Sequence, residues 1–215
     1  MRRSPDGRDG FTLIELLVVI TMIGILAGLL FPAFQAVQNQ AKRVQAKNDL
    51  TQIVNAVNAF YTEYGQYPLA TADTTYGSTT IPNADLFYTL RAVNAGTANA
   101  NNAANPRIVV FLSVPDVKDP AKPRSGIATQ NATVNGVSIQ AGEFVDPWGT
   151  KYKVRIDGGY DNQLANPYSL SAGAATLQIG VIAWSNGKDT QSQSLPGPAA
   201  DKGTGINADD IVSWQ

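Results

Sequence analysis

The 215-residue sequence contains neither cysteine nor histidine. A chain without these residues forms no disulfide, holds no thiolate or imidazole metal site and cannot use a cysteine or histidine nucleophile. Any metal would have to be held by oxygen atoms, which favours calcium over zinc. Charge is also sparse, with 16 basic and 17 acidic residues and a formal net charge of -1. Because this balance indicates no basic patch, we expect no nucleic-acid partner.

What the sequence does contain, near its start, is a long apolar run. Residues 11–31 carry a single charge, at Glu15, and follow a polar leader that ends at Gly10. At about 1.5 Å per residue, a helix of that length is about 31 Å long, which matches the hydrocarbon core of a bilayer. The run therefore predicts a transmembrane helix.

Glu15 is unusual in such a run. A carboxylate within a bilayer costs roughly 2.5–3.5 kcal/mol on insertion scales, so it indicates a function by default. Cleavage after Gly10 would create a new amino group on Phe11, one helical turn before Glu15. We expect this cation to neutralise Glu15, in the same chain or in a neighbouring one.

The arginine-containing leader, Gly10 and the Phe-Thr-Leu-Ile-Glu that follows resemble the class III signal of type IV pilins and type II secretion pseudopilins. The resemblance covers residues 10–67. It implies that a prepilin peptidase removes residues 1–10 and N-methylates Phe11, and that Glu15 guides each subunit into register. Two plainer interpretations stay open. One is a secretory signal peptide, which would have a shorter apolar core, and the other is a simple membrane anchor with an incidental acid.

Residues 32–65 are predicted to continue the helix with an amphipathic pattern. Pro32 removes a backbone donor, so a kink is predicted there, as the resemblance also implies. Apolar residues at helical spacing then predict a face that is buried against a sheet. That face comprises Leu50, Ile53, Val54, Val57, Phe60, Tyr61 and Tyr64. Gly65 is in the position favoured for a left-handed C-cap, so the helix should end there.

Residues 66–215 are predicted to form a globular head. A second helix is expected over residues 84–94 with Asn83 as its N-cap, and residues 134–137 carry the Asn-Gly signature of a tight hairpin. Residues 177–184 are the strongest candidate for a central strand. We therefore predict an α+β fold, in which a long N-terminal helix packs on a small antiparallel β-sheet, as in pilins.

The stretch from Asp146 to Gly149 predicts a turn. Asp-Pro opens it, Gly149 closes it, and Trp148 is available to fix it to the core. Residues 151–156 then alternate as a strand. The stretch resembles the D-P-W-G-x-x-Y turn of the major pseudopilins of type II secretion.

The C-terminal region resembles the pseudopilin ending in which one calcium ion holds a loop. The resemblance implies ligands from the Asn186 carbonyl and from three acids, Asp189, Asp209 and Asp210. It is imperfect, because two acids stand where the pattern has one and Asn207 offers a further oxygen. The alternative is a solvated acidic loop without metal.

The resemblance implies a structural subunit and not an enzyme. The subunit would polymerise with copies of itself and with minor pseudopilins into a type II secretion pseudopilus. An inner-membrane assembly platform would build this filament after prepilin peptidase cleavage. Before assembly the subunit would cross the inner membrane once, with its head in the periplasm, and afterwards it would belong to a periplasmic or cell-surface filament.

Two alternatives stay open. One is a type IV pilus pilin for adhesion, motility or DNA uptake, although the lack of cysteine favours the pseudopilin. The other is a membrane-tethered hydrolase that would use two of the acids Glu143, Asp146, Asp157 and Asp189, although no spacing specifies a catalytic pair.

Overall fold

The structure, a computed structural model, describes residues 11–134, 136–169, 171–191, 201–203 and 205–215. The predicted leader with its cleavage residue Gly10, and Asn135 of the predicted hairpin, lie outside the described residues. The chain divides into two compact units between Ala41 and Lys42.

A single long helix, α1 (Leu13–Tyr64), occupies the first part of the chain. It is long and apolar enough to cross a membrane, and its most apolar stretch buries no side chain within the protein. The backbone is helical through Pro32, and the predicted kink stays a prediction. The helix ends where predicted, because Gly65 adopts a left-handed φ of 69° and its N–H bonds to the Tyr61 carbonyl at 2.8 Å.

From Lys42 onward, α1 belongs to the second unit and buries one face there. The buried members of the predicted face are Leu50, Ile53, Val57 and Phe60, and Val54 and Tyr64 are half-buried against the same core. Tyr61 differs from the prediction, since it is 41% exposed. Its ring stacks on Tyr67 with centroids 4.7 Å apart at the surface.

The second helix, α2 (Ala84–Leu90), is shorter than predicted. It stops because Ala92 takes a left-handed φ of 55°, so the Val93 N–H turns back to the Tyr88 carbonyl. Asn83 does stand at the N-cap position, but its side chain makes no capping bond.

In the described part of the head there are ten short strands. They are β1 (Thr74–Tyr76), β2 (Gly126–Ile127), β3 (Ala132–Val134), β4 (Val137–Ile139), β5 (Phe144–Val145), β6 (Lys153–Ile156), β7 (Leu164–Ala165), β8 (Thr176–Leu177), β9 (Val181–Ser185) and β10 (Ile211–Val212). The main sheet is antiparallel in the order β1-β6-β9-β10, and β2-β5, β3-β4 and β7-β8 form two-stranded ribbons. The predicted hairpin is β3-β4, and the predicted α+β class is confirmed.

The strand predicted over residues 177–184 is divided in two. Leu177 belongs to β8, and β9 begins only at Val181. Residues 178–180 lie between them, and the Tyr67 hydroxyl packs on Gly180, where an added Cβ would lie 1.9 Å from that oxygen. β9 is nevertheless central, as predicted.

The core covers both faces of β9. Val181 and Ala183 pack in the cluster that contains the buried face of α1. Ile182 and Trp184 pack in a second cluster with Tyr168. Since side chains alternate along a strand, burial of both faces explains why residues 181–184 of β9 are all apolar.

Candidate functional site

The start of α1 is closed by a reciprocal contact between Thr12 and Glu15. Glu15 Oε2 accepts hydrogen bonds from the Thr12 N–H at 2.9 Å and the Thr12 hydroxyl at 2.6 Å, and Thr12 Oγ1 accepts one from the Glu15 N–H at 3.3 Å. This is a capping box, which satisfies N–H groups that a helix start leaves free. Only the charge of Glu15 was predicted to have a role, although the T-x-x-E spacing is a signal for the cap.

The capping box also determines where the negative charge of Glu15 lies. It turns the Glu15 carboxylate back toward Thr12, the neighbour of Phe11. Phe11 itself is 81% exposed. The carboxylate is therefore held close to the residue that would carry the new amino group, and the predicted processing at Gly10 and Phe11 stays a prediction.

The side chains in the apolar part of α1 are exposed, as far as the described residues show. Each large apolar side chain from Phe11 to Phe31 is at least 43% exposed. Exposed apolar surface of this extent marks a membrane or protein contact. A bilayer or a bundle of neighbouring helices would cover it.

The turn that begins at Asp146 is organised by a buried carboxylate. Asp146 Oδ1 accepts hydrogen bonds from the N–H groups of Trp148, Gly149 and Thr150 at 2.8–2.9 Å. Oδ2 accepts the hydroxyls of Thr150 and Ser185, both at 2.6 Å. The predicted turn is present, and Trp148 packs in the main core.

Ser185 connects this turn to the predicted calcium region. Its hydroxyl donates to Asp146 and accepts a hydrogen bond from the Gly187 N–H at 3.1 Å. Gly187 in turn lies against Asp209, because a Cβ on Gly187 would be 2.3 Å from the Asp209 carbonyl oxygen. The role of Ser185 was not predicted, because it depends on contacts that are distant in the chain.

Of the predicted calcium ligands, Asp189 and Asp209 are in direct contact in the structure. The Asp189 N–H donates to Asp209 Oδ2 at 2.8 Å, and Asp189 Oδ1 accepts the Gln191 N–H at 2.8 Å. Asp210 is buried, and its Oδ2 accepts the Tyr168 hydroxyl at 2.5 Å. No group of three acidic side chains that could hold a metal occurs in the described part of the chain. A calcium ion here would therefore also need amide or carbonyl oxygens.

Two oxygens at this place suit a cation. Asn186 Oδ1 and Asp210 Oδ1 are buried and have no hydrogen-bond partner among the described residues. Burial, aided by the nearby carboxylates of Asp209 and Asp189, raises the pKa of Asp210 to about 7 against the opposing effects of Tyr168 and Lys153. A buried polar atom without a partner is costly, and a cation would relieve that cost.

The acids of the hydrolase alternative have structural partners. Glu143 is fully buried, with Oε1 3.2 Å from Lys151 Nζ and Oε2 accepting the Gln140 N–H at 2.7 Å. Asp157 Oδ2 accepts the Asn162 N–H at 2.7 Å. Together with the bonds of Asp146, these contacts hold turns of the head.

Polar residues of α1 form hydrogen bonds with the head that the helical pattern did not predict. Asp49 Oδ2 accepts the Tyr152 hydroxyl at 2.7 Å, and burial raises the pKa of Asp49. Lys47 Nζ donates to the carbonyls of Val212, at 2.8 Å, and of Gln215. Sheet and C-terminal segment are thus both joined to the helix.

Asn83 is a third residue whose long-range hydrogen bonds were not predicted. Its side-chain amide donates to the carbonyl of Tyr152 at 2.7 Å and to that of Phe144 at 3.3 Å. Its Oδ1 accepts the Phe144 N–H at 3.1 Å. Asn83 therefore ties the start of α2 to the strands, where the sequence predicted a helix cap.

Comparison with known proteins agrees with this geometry. The prokaryotic N-terminal methylation motif matches residues 6–31. Over 66 residues, or 31% of the chain, the sequence is 41% identical to the type IV major pilin protein PilA of Myxococcus xanthus (strain DK1622). It is 35% identical over 66 residues to the type II secretion system core protein G of Escherichia coli (strain K12). The matches span 30% and 46% of those two relatives.

One similarity extends further into the head. The fimbrial protein of Neisseria meningitidis serogroup B is 27% identical over 151 residues, which cover 61% of this chain and 88% of that protein. No solved structure matches. The long apolar helix, the small antiparallel sheets of the head and the methylation motif together indicate a pilin-like protein. Within that class, the chain is similar to the core protein G of type II secretion systems and to type IV pilins.

Proposed function

We propose that this protein is a structural subunit that polymerises through α1 after removal of residues 1–10 and N-methylation of Phe11. The observation that carries the proposal is the Glu15 carboxylate, which Thr12 turns back toward Phe11 in a stretch, residues 11–31, that is exposed and carries no other charge. In a bundle, exposed apolar side chains pack on those of neighbouring helices instead of lipid.

Glu15 gives this assembly its register. In a bundle with little water, a lone carboxylate is costly until a cation faces it. The amino group of Phe11 on a neighbouring subunit is such a cation. Pairing of two buried charges contributes specificity more than net stability, which suits a device that sets register.

The test is Glu15→Ala in cells that assemble the wild-type protein. We expect leader removal to proceed, because the peptidase acts before assembly, and the amount of sheared or imaged filament to fall. Leu16→Ala, on the same turn, serves as a control that removes apolar surface without removing charge. Normal filaments from Glu15→Ala would contradict the role of the carboxylate.

We propose further that the filament is the pseudopilus of a type II secretion system. Support comes from the turn organised by Asp146, the acids near the C-terminus and the similarity to core protein G. The partners would then be minor pseudopilins, the prepilin peptidase and the inner-membrane assembly platform. The arginines of the leader favour a cytoplasmic start, so the head would be periplasmic.

A complementation experiment separates the pseudopilus from the type IV pilus. We expect the gene to restore secretion in its native host after deletion, while twitching motility and DNA uptake stay unchanged. Loss of motility with intact secretion would instead support a pilus.

We also propose that calcium orders the C-terminal region. The residues that would hold it are Asn186, Asp189, Asp209 and Asp210, and the support is the pair of buried, unpartnered oxygens on the first and last of these. When bound, calcium would supply positive charge to acids that otherwise repel each other. Closing this polar region costs chain entropy, which a bound ion offsets.

A further inference from the structure

Two carboxylates flank the same end of the ladder between β1 and β6. The last pair of the ladder at this end is Thr74 opposite Ile156. Continuing the antiparallel register by one residue places Asp73 directly opposite Asp157. Like charges directly opposite each other destabilise a sheet. An acid pair at this position therefore calls for a positive charge that offsets the repulsion.

Asp157 is 1% exposed, and only one of its two carboxylate oxygens has a partner. Oδ2 accepts the Asn162 N–H at 2.7 Å. Oδ1 is buried and has no hydrogen-bond partner among the described residues. In the same part of the chain, no lysine or arginine forms an ion pair with Asp157 or Asp73. A buried carboxylate oxygen without a donor or a cation is costly.

Gly159 leaves a small space beside the two carboxylates. The point that a Cβ on Gly159 would occupy is 3.6 Å from Asp157 Oδ1 and 3.8 Å from Asp73 Oδ1. Apart from Gly159 and its chain neighbours, no other atom of the described residues lies within 4 Å of that point. Two carboxylate oxygens from different strands therefore border one space. Because Asp157 is buried, a small ion can reach its Oδ1, whereas a lysine or arginine side chain of another molecule cannot.

The chemistry of these donors favours calcium. Carboxylate oxygens suit hard cations, whereas zinc prefers nitrogen and sulfur ligands. Magnesium demands a regular octahedron, but calcium accepts an irregular set of six to eight oxygens at about 2.3–2.6 Å. Asp73 is exposed, so its side chain can adjust to those distances. Main-chain carbonyls of the loop after β6 and water would supply the remaining oxygens.

We propose that a calcium ion binds between Asp73 and Asp157, beside Gly159, and joins the start of β1 to the loop after β6. This site shares no residue with the C-terminal region for which calcium is proposed above. Two carboxylates make a weak site, of the kind found in extracellular modules with dissociation constants of about 10⁻⁴–10⁻³ M. When bound, the ion offsets the repulsion between the two acids and gives Asp157 Oδ1 a partner.

The test uses the full chain in phosphatidylcholine nanodiscs. Asp189→Asn and Asp209→Asn are introduced together as a background, so that acids of the C-terminal region do not contribute. Terbium is the probe, because it binds to calcium sites through the same oxygens and emits when a nearby aromatic ring is excited. Tyr160 follows Gly159 directly and serves as that ring.

Three variants are compared in this background. Asp73→Asn removes the exposed carboxylate. Gly159→Ala keeps every charge but fills the space, and its Cβ makes only ordinary contacts at a φ outside the left-handed region. The matched control is Asp119→Asn, which removes the same charge from an exposed residue of another loop. Asp119 Oδ1 accepts the Ala121 N–H, a bond that the amide oxygen of asparagine can keep.

We expect terbium emission that saturates at one ion per chain and that excess calcium displaces. Asp73→Asn and Gly159→Ala should weaken terbium binding about tenfold or more, since each removes or blocks a ligand, and Asp119→Asn should leave it unchanged. The proposal is overturned if Asp73→Asn or Gly159→Ala binds terbium as tightly as the control. Absence of emission from the background chain, or emission that calcium does not displace, would also overturn it.

A second measurement needs no substitution at the site, so it holds even if a variant fails to fold. Hydrogen exchange is followed in the background chain with and without millimolar calcium. Exchange in residues 157–162 should slow, because the ion fixes Asp157, whose Oδ2 holds the Asn162 N–H. Unchanged exchange in these residues at saturating calcium would refute the site.

Discussion

The Asp146 carboxylate accepts a hydrogen bond from the Ser185 hydroxyl at 2.6 Å, across 39 residues of sequence. The contact joins the turn after β5 to the end of β9. Because Ser185 Oγ also accepts the Gly187 N–H, the same hydroxyl fixes the start of the proposed calcium region. Two motifs that look separate in the sequence therefore form one hydrogen-bonded unit.

Ser185→Ala should destabilise the head. The change removes one donor from the buried Asp146 carboxylate and leaves the Gly187 N–H without its acceptor, which should lower the free energy of unfolding by about 1–3 kcal/mol. Urea unfolding followed by tryptophan fluorescence measures this. Ser138→Ala, at an exposed position on β4, is the control. Equal stability of the two variants would show that the contact is unimportant.

Asp49 should make stability depend on pH. Burial raises its pKa, against the opposing effect of the hydrogen bond from Tyr152. An acid with a raised pKa in the folded state stabilises most below its unfolded pKa of about 4 and loses that contribution as pH rises through the folded value. Asp49→Asn should therefore gain stability relative to the wild type as pH rises from 4 to 7.

Urea unfolding at several pH values tests the Asp49 prediction. Asp119→Asn, at an exposed site, provides the comparison. Parallel pH profiles for the wild type and Asp49→Asn would rule the prediction out.

Charge and capping can be separated at the start of α1. Thr12→Val removes the capping hydroxyl, at a cost of about 1 kcal/mol to the helix start, but keeps the carboxylate. Glu15→Gln keeps a side chain that can complete a capping box but removes the charge. We expect filaments from Thr12→Val and few from Glu15→Gln, measured by electron microscopy of sheared material. The reverse result would mean that the cap, and not the charge, controls assembly.

Calcium removal should loosen the C-terminal region. With excess chelator, the thermal melting temperature should fall, because a ligand that binds only the folded state stabilises it. In micromolar calcium, where the weaker site between Asp73 and Asp157 is nearly empty, the double variant Asp189→Asn, Asp209→Asn should melt at the chelated temperature and show no response to chelator. An unchanged melting temperature of the wild-type chain on chelation would remove calcium from the account.

Features that repeat along the sequence were predictable. The continuous apolar run of residues 11–31 predicted the exposed part of α1, and apolar residues at helical spacing predicted its buried face. Gly65 and the D-P-W-G turn were predictable because glycine φ values and Asx turns are local properties. The short strands were not, since two or three residues such as Gly126 and Ile127 of β2 carry no period.

The roles of single polar residues could not be predicted from the sequence, for a different reason. Asn83 looked like a helix cap because the sequence around it is that of a helix start, but its partners Phe144 and Tyr152 are 61 and 69 residues away. The contacts of Lys47 with Val212 and of Ser185 with Asp146 span 165 and 39 residues. Such pairings depend on the register of the sheet, which local patterns do not specify.

The central claim is that the mature chain begins at Phe11 and that its amino group meets Glu15 of a neighbouring subunit. Intact mass and N-terminal sequencing of protein purified from native membranes test the first half most directly. We predict a chain that starts at Phe11 and carries one added methyl group. A chain that still begins at Met1, or that begins well beyond Phe11, would contradict the account and leave an ordinary anchored or secreted protein.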